Sequence, residues 1–168
     1  LIINRITLIL LFISLFLFNS SYTLFSINDG LALFNDWFIL SNSNLFFINI
    51  IFISIIILFI YNSFNLADNL YLSLIIIANT IGLILFPLVN DILSLYILIE
   101  LQSYSLYILT GINNKSYNAS RAALLYFLMG GIASSLILLS SYYIYNILGT
   151  TNIHEIWSLS YYTDISIF

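Results

Sequence analysis

One carboxylate interrupts a long apolar run in the middle of the sequence. Glu100 lies near the centre of residues 91–111, and that run contains no lysine, arginine or histidine that could neutralise it. If the run is a helix, with about 100° between successive residues, Ser103 and Tyr104 both lie within about 60° of the Glu100 direction. An ionisable side chain within a membrane is costly unless it faces a protein interior or a water-filled cavity. We therefore interpret Glu100 as a protonatable switch in mid-membrane, with Ser103 and Tyr104 as candidate relay groups.

A purely structural glutamate is the alternative interpretation of Glu100. In that case the carboxylate would be held in a packing network and would carry no proton during function. A neutral glutamine could fill the same structural role without the cost of burying a charge, so the presence of a glutamate favours the functional interpretation.

The sequence offers few other chemical groups. His154 and Glu155 form the one acid/base pair of neighbours, but they lie in a polar tail, where a solvated or interface-packed histidine is more typical than a haem ligand. The sequence has no cysteine, no cluster of histidines and no glycine-rich phosphate loop. We therefore expect no bound metal, no nucleotide and no cofactor in this chain.

Composition fixes the class of protein. Hydrophobic residues make up 62% of the chain and charged residues only 6%, against about 25% charged residues in a typical soluble domain. Long apolar runs separated by short polar joints are typical of spanning helices, and the absence of a basic cluster argues against binding to nucleic acid. The predicted fold class is all-α, a polytopic transmembrane helix bundle.

We predict a single transmembrane domain over residues 1–168 with about five spanning helices. The third helix ends at the only proline, Pro87, and Asn90 can cap the fourth, with Asp91 favourably placed at the positive end of the helix dipole. The helices are expected at about 1–18, 45–61, 70–86, 91–110 and 119–147, with the loop 19–44 and the tail 148–168 outside the membrane.

The few cations predict an orientation. With five spans, Arg5, Lys115 and Arg121 all fall on one side of the membrane. The charged residues on the opposite side are all acidic. The positive-inside rule assigns the cationic side to the cytoplasm or to the matrix of a mitochondrion. The N-terminus and the turn at 111–120 are therefore expected on that side.

Residues 90–152 carry a family resemblance. The segments Asn90-Asp91-Ile-Leu-Ser-Leu-Tyr96, Glu100-Leu-Gln-Ser-Tyr-Ser-Leu-Tyr107, Tyr126-Phe127-Leu-Met-Gly-Gly131 and Gly149-Thr-Thr-Asn152 occur in order. Together they resemble the subunit 2 family of mitochondrial NADH:ubiquinone oxidoreductase (complex I), which belongs to the antiporter-like subunits of the membrane arm. The resemblance implies a mitochondrial inner-membrane protein in which a glutamate at the position of Glu100 pairs with a lysine on a later helix. It also implies that FMN, iron–sulfur clusters and ubiquinone bind in other subunits.

The chain departs from that family in three ways. Leu125 stands where the family commonly has a lysine, and Arg121 stands where an acidic residue is frequent. Family members also continue for several further helices, so we expect either a split gene, whose second polypeptide carries the rest, or a shortened form. The resemblance then implies that the first span here matches the family's second.

These features favour a membrane-arm subunit that contributes to proton translocation coupled to electron transfer, with other membrane-arm subunits and lipids as partners. Two alternatives stay open. One is a structural remnant that bridges neighbouring subunits without conducting protons, which the leucine at position 125 favours. The other is a subunit of a free-standing cation/proton antiporter.

Overall fold

The structure is a computed structural model, and it describes residues 2–24, 30–65, 70–112 and 116–160. Within these ranges the chain forms five long α-helices, one short α-helix, one 3-10 helix and one small antiparallel hairpin. The elements are, in order, α1 (Ile2–Leu24), β1 (Leu31–Leu33), β2 (Phe38–Leu40), α2 (Asn42–Asn65), α3 (Leu70–Leu85), a 3-10 helix (Phe86–Leu88), α4 (Ile92–Gly111), α5 (Tyr117–Leu148) and α6 (Ile153–Ser160).

Four of these helices are long and apolar enough to cross a membrane. The qualifying segments are Ser43–Tyr61, Tyr71–Leu88, Ile92–Gly111 and Tyr117–Leu148, and α1 contains a shorter apolar segment, Arg5–Ser20. The predicted all-helical, polytopic fold is therefore confirmed. At about 1.5 Å per residue, the 32 residues of α5 extend about 48 Å, which exceeds a hydrocarbon core about 30 Å thick.

The apolar core is built around α2. Ile48 and Phe52 pack against Leu88 of the 3-10 helix, and side chains of α1, β2 and α3 surround this group. The Phe18 ring of α1 lies 6.2 Å from the Phe52 ring, centroid to centroid. Buried side chains recur along one face of α2 at the spacing of a helix: Leu45, Ile48, Phe52, Ile55, Ile56 and Phe59.

The helix α4 packs between α3 and α5. On the α3 side the backbone of Gly82 lies under the side chain of Gln102, since a Cβ at Gly82 would come within 2.8 Å of Gln102 Cγ. On the α5 side, a Cβ at Gly111 would lie 3.1 Å from Ala123 Cβ. Small residues therefore let both neighbours approach the helix that carries Glu100.

Two stretches assigned to loops contain additional helix. The first helix was expected to end near residue 18, but α1 continues to Leu24. The Ser20 hydroxyl donates to the carbonyl of Leu17 at 3.0 Å, so this polar side chain is satisfied within the helix. The tail after residue 148 contains α6, which begins after Asn152, whose Oδ1 accepts from the backbone N–H of His154 at 3.0 Å. Asn152 followed three residues later by Glu155 is a helix-start pattern that the sequence already contained.

Candidate functional site

The site begins at the N-terminus of α4, where Asp91 is the capping residue. Its Oδ1 accepts from the backbone N–H of Leu93 at 2.8 Å, and its Oδ2 accepts from the Thr151 hydroxyl at 2.7 Å. We had predicted that Asn90 would cap this helix, and that prediction is wrong. The carboxylate of Asp91 can only accept hydrogen bonds, which suits a helix start, whereas the amide of Asn90 is used as a donor elsewhere.

Asn90 joins three parts of the chain. Its Nδ2 donates to the carbonyl of Asp36 in the hairpin turn at 3.0 Å and to Oδ1 of Asn152 at 3.3 Å. Its backbone N–H donates to the carbonyl of Trp37 at 2.9 Å. We call the group formed by Asp36, Asn90, Asp91, Thr151 and Asn152 the polar cluster. It ties the hairpin and the segment after α5 to the first turn of α4.

Glu100 lies near the middle of α4. It is the ninth of the helix's 20 residues, about 12 Å along a helix about 30 Å long. Its side chain is partly buried, and its Oε1 atom is buried with no hydrogen-bond partner in the described part of the chain. An unsatisfied buried oxygen at this depth is energetically costly, so the carboxyl group is set up to take a proton, a water molecule or a cationic partner.

The two predicted relay residues lie in different surroundings. The Ser103 hydroxyl donates to the carbonyl of Ile99 at 2.7 Å, so its proton is engaged within α4 and its oxygen stays available as an acceptor. Tyr104 is 53% exposed, and its ring packs edge-on against Tyr107 at 6.0 Å. Their role as relay groups stays a prediction.

A different tyrosine neighbours Glu100 on the same helix. Tyr96 precedes Glu100 by one helical turn, and its side chain is partly buried. Residues four apart on a helix are neighbours, so the spacing of Tyr96 and Glu100 in the sequence predicts this proximity.

An aromatic group fixes the second half of α4 against α5. The Tyr107 ring meets Tyr126 and Phe127 edge-on, at 4.9 and 5.7 Å between centroids. Gly130 makes room for it, because a Cβ at that position would overlap the Tyr107 hydroxyl and ring. The adjacent Gly131 has open space around its Cβ position. Gly130 therefore faces α4.

Positive charges lie far from Glu100 in the described chain. Arg5 lies in the first turn of α1, and Arg121 lies in the second turn of α5. Both are exposed, and both lie at the end of the bundle opposite the polar cluster. Lys115, the only lysine of the sequence, falls outside the described residues. A cationic partner for Glu100 is therefore not present among the residues that the structure describes.

The other candidate sites contain fewer groups that could bind or react. An apolar groove of about 560 Å³ lies between α4 and α5, lined by Leu93, Leu138 and Tyr142 among others, and Glu100 does not line it. His154 is exposed on α6. No group of three or more histidine or carboxylate side chains suited to a metal ion occurs among the described residues.

Comparison with known proteins relates the sequence of this region to a family. Residues 89–167 match the family model described as NADH:quinone oxidoreductase/Mrp antiporter, TM. NADH-ubiquinone oxidoreductase chain 2 of Debaryomyces hansenii is 45% identical over 157 residues, which cover 91% of this chain and 35% of that protein. The chain belongs to the subunit 2 family of NADH:ubiquinone oxidoreductase. The Candida albicans protein of the same name is 50% identical over 131 residues, covering 76% of this chain and 28% of its own length.

The chain is also similar to a bacterial protein. NADH-quinone oxidoreductase subunit N 1 of Rhizobium meliloti is 34% identical over 89 residues, which cover 53% of this chain and 18% of that protein. The chain thus spans about a third of the length of the fungal members of the subunit 2 family that it matches. Glu100, Tyr96, Ser134 and the polar-cluster residues Asp91 and Asn152 all lie within the matched segment.

Proposed function

We propose that this chain is part of the membrane arm of a respiratory NADH:ubiquinone oxidoreductase and contributes to proton translocation. The observation that carries the proposal is the partly buried Glu100 in the middle of a membrane-spanning helix, with one carboxylate oxygen buried and unpartnered. Such a group changes protonation when its solvation or a nearby charge changes, and this change is the elementary step of a proton pump.

The partners and cofactors follow from the same proposal. We propose that the chain assembles with other membrane-arm subunits in the mitochondrial inner membrane, with its N-terminus and the turn at 111–120 on the matrix side. FMN, iron–sulfur clusters and ubiquinone would bind to other subunits. The names of the relatives support this assignment, since they are chains of oxidoreductases that act on ubiquinone or another quinone.

We propose that the cation that pairs with Glu100 lies outside the residues that the structure describes. In the described structure α5 has no buried residue, so its surface is open to contact with further helices. Mass spectrometry of the native complex, purified through this chain, is expected to find flavin-containing subunits and other membrane-arm subunits. Their absence from an active, pumping complex would contradict the proposal.

Glu100→Gln tests the function directly. The variant keeps the size and hydrogen-bonding capacity of the side chain but removes the ionisable group. We expect the complex to assemble while the number of protons pumped per NADH oxidised falls. Glu155→Gln, a change at an exposed carboxylate in α6, is the matched control and is expected to leave pumping unchanged. Unchanged pumping in Glu100→Gln would remove Glu100 from the mechanism.

A structural role is the second candidate. Leu125 supports it, because this half-exposed apolar residue of α5 stands where the family resemblance leads us to expect a cation. In a structural subunit, Glu100→Gln and Glu155→Gln would both leave pumping unchanged. Deleting the chain would nevertheless destabilise the complex. The same pair of variants therefore separates the two functions.

A further inference from the structure

Both tryptophans of the chain belong to elements outside the long helices. Trp37 lies in the turn of the hairpin, and Trp157 lies in α6. Trp37 is 40% exposed and Trp157 is 70% exposed, and Phe34, at the start of the same hairpin turn, is 78% exposed. We call these three side chains the aromatic surface. Tryptophan is enriched where a membrane meets water, because its ring is apolar and its N–H is polar.

A hydrogen bond places the hairpin at the boundary of the membrane. Only residues 89–91 link the spanning segments Tyr71–Leu88 and Ile92–Gly111. Three extended residues cover at most about 11 Å, so this link cannot reach far into water and return. The carbonyl of Trp37 accepts from the backbone N–H of Asn90, in the middle of the link, at 2.9 Å. The hairpin turn therefore lies close to the depth at which the spans end.

The same link holds the start of α6. The carbonyl of Asn90 accepts from the backbone N–H of Ile153, the first residue of α6, at 2.9 Å. On the other side of the link, the backbone N–H of Ile92 donates to the carbonyl of Thr151 at 3.0 Å. Because the hairpin and α6 are bonded to one short link, both elements lie near the membrane boundary at the same end of the bundle.

The side chains of α6 separate into an apolar side and a polar side. With about 100° between successive residues, Ile153, Ile156 and Trp157 fall on one side of the helix, and His154 and Glu155 fall on the other. A helix of this kind can lie along a membrane surface with its apolar side among the lipids. The position of Trp157 in α6 is therefore suited to contact with the bilayer.

The charges at this end of the bundle indicate the type of lipid. The described charged side chains here are acidic, and the two described arginines lie at the opposite end. The acidic residues are Asp36, Asp91 and Glu155. Anionic lipids would be repelled by these carboxylates, since attraction to such lipids comes from lysine and arginine. The aromatic surface thus fits a bilayer of zwitterionic lipids, which it can enter through its apolar rings.

We propose that the hairpin and α6 form a membrane-surface anchor, in which Phe34, Trp37 and Trp157 insert among the headgroups and upper acyl chains of zwitterionic lipids. The bilayer around the spanning helices reaches the same depth as the link 89–91, so it can cover these rings without another partner. The anchor sets the depth of the polar cluster, because Asn90 is bonded to both elements. It does not depend on whether Glu100 carries protons.

Tryptophan fluorescence can locate both rings. Trp37→Phe leaves Trp157 as the only tryptophan, and Trp157→Phe leaves Trp37. The full chain of each variant is reconstituted in phosphatidylcholine vesicles that carry bromine either near the top of the acyl chains or near their ends, and iodide is supplied on both sides of the membrane. We expect the largest loss of fluorescence with bromine near the top of the chains, a smaller loss with bromine near the ends, and little loss with iodide.

The double variant Trp37→Phe/Trp157→Phe provides matched controls when one tryptophan is added to it. Ile132→Trp places the ring near the middle of α5, at a residue that is 59% exposed, so its fluorescence should fall most with bromine near the chain ends. Glu155→Trp places the ring on the polar side of α6, so its fluorescence should fall most with iodide.

Three results would overturn the proposal. Strong quenching by iodide in either single-tryptophan variant would show that its element extends into water. Strongest quenching by bromine near the chain ends would place the ring in the membrane core, and quenching by no reagent would show that another copy of this chain covers it. If a variant does not fold, the unaltered chain decides, because its only tryptophans are these two. Adding phosphatidylglycerol should leave the quenching unchanged, and an increase would contradict the zwitterionic partner.

Discussion

Replacing Gly130 with alanine is expected to disturb the contact that holds the second half of α4. The added Cβ would overlap the hydroxyl and ring of Tyr107. That ring is enclosed by Tyr126 and Phe127 on α5 and by Tyr104 on its own helix, so it cannot move aside without losing these edge-on contacts. Either the ring shifts or the two helices separate.

The size of the effect follows from three contributions. Forcing extra atoms into a packed contact costs about 1–3 kcal/mol. Each edge-on aromatic contact that is lost costs about 0.5–1.5 kcal/mol. Alanine in place of glycine within a helix returns about 0.5–1 kcal/mol. We therefore expect Gly130→Ala to lower the free energy of unfolding by about 1–2 kcal/mol when the ring relaxes in part.

Gly131→Ala is the control, because a Cβ at Gly131 meets no atom within 4 Å. It is expected to raise the free energy of unfolding by about 0.5–1 kcal/mol through helix propensity alone. Unfolding of the full chain in detergent micelles, followed by circular dichroism, measures both variants. Adding Tyr107→Phe to Gly130→Ala removes the atom that overlaps most and should recover part of the loss. Equal stability of the two alanine variants would refute the packing argument.

Further variants test the polar cluster and the two caps. Asp91→Ala should lower the free energy of unfolding by about 1–2 kcal/mol because it removes the N-cap of α4, whereas Asp91→Asn, which keeps an acceptor, should cost less; equal losses in chemical denaturation would contradict this. Cysteines at Phe38 and Val89, which form an antiparallel bridge, should cross-link under mild oxidation in this cysteine-free chain. A pair at Ile39 and Val89 should not, as thiol alkylation on gels would show, because successive strand residues point to opposite faces. Gly149→Ala should cost about 1 kcal/mol, measured by thermal unfolding, since Gly149 ends α5 at φ +74°.

Much of the fold could be predicted because membrane helices are coded locally. A long apolar run must become a helix in lipid, since its backbone groups have no other partners there, so α2 to α5 were recognisable from hydropathy. The polar triplet at 19–21 predicts an end of α1 that the structure does not have, since the helix continues to Leu24. Hydropathy treats serine as polar, while the helix satisfies the Ser20 hydroxyl with its own carbonyl at Leu17.

The candidate site was predictable only in its central residue. Glu100 stands out because a charge in an apolar run is rare and costly. Its neighbours on other helices are set by helix packing, which depends on contacts such as that of Gly130 on α5 with the Tyr107 ring on α4. The N-cap of α4 was likewise not predictable from the sequence alone. Whether Asn90 or Asp91 caps α4 depends on the hairpin, because the backbone carbonyl of Asp36 accepts a hydrogen bond from the Asn90 side-chain amide.

The two ends of α4 are held in different ways, and this restricts how Glu100 can act. At its start, hydrogen bonds from the polar cluster fix the helix to the hairpin and to the segment after α5. In its second half, the Tyr107 ring is enclosed against Gly130. Sliding or rotating α4 would break both sets of contacts, at a cost of several interactions of about 1 kcal/mol each. A change in the protonation of Glu100 is therefore transmitted more readily by side chains than by movement of the helix that carries it.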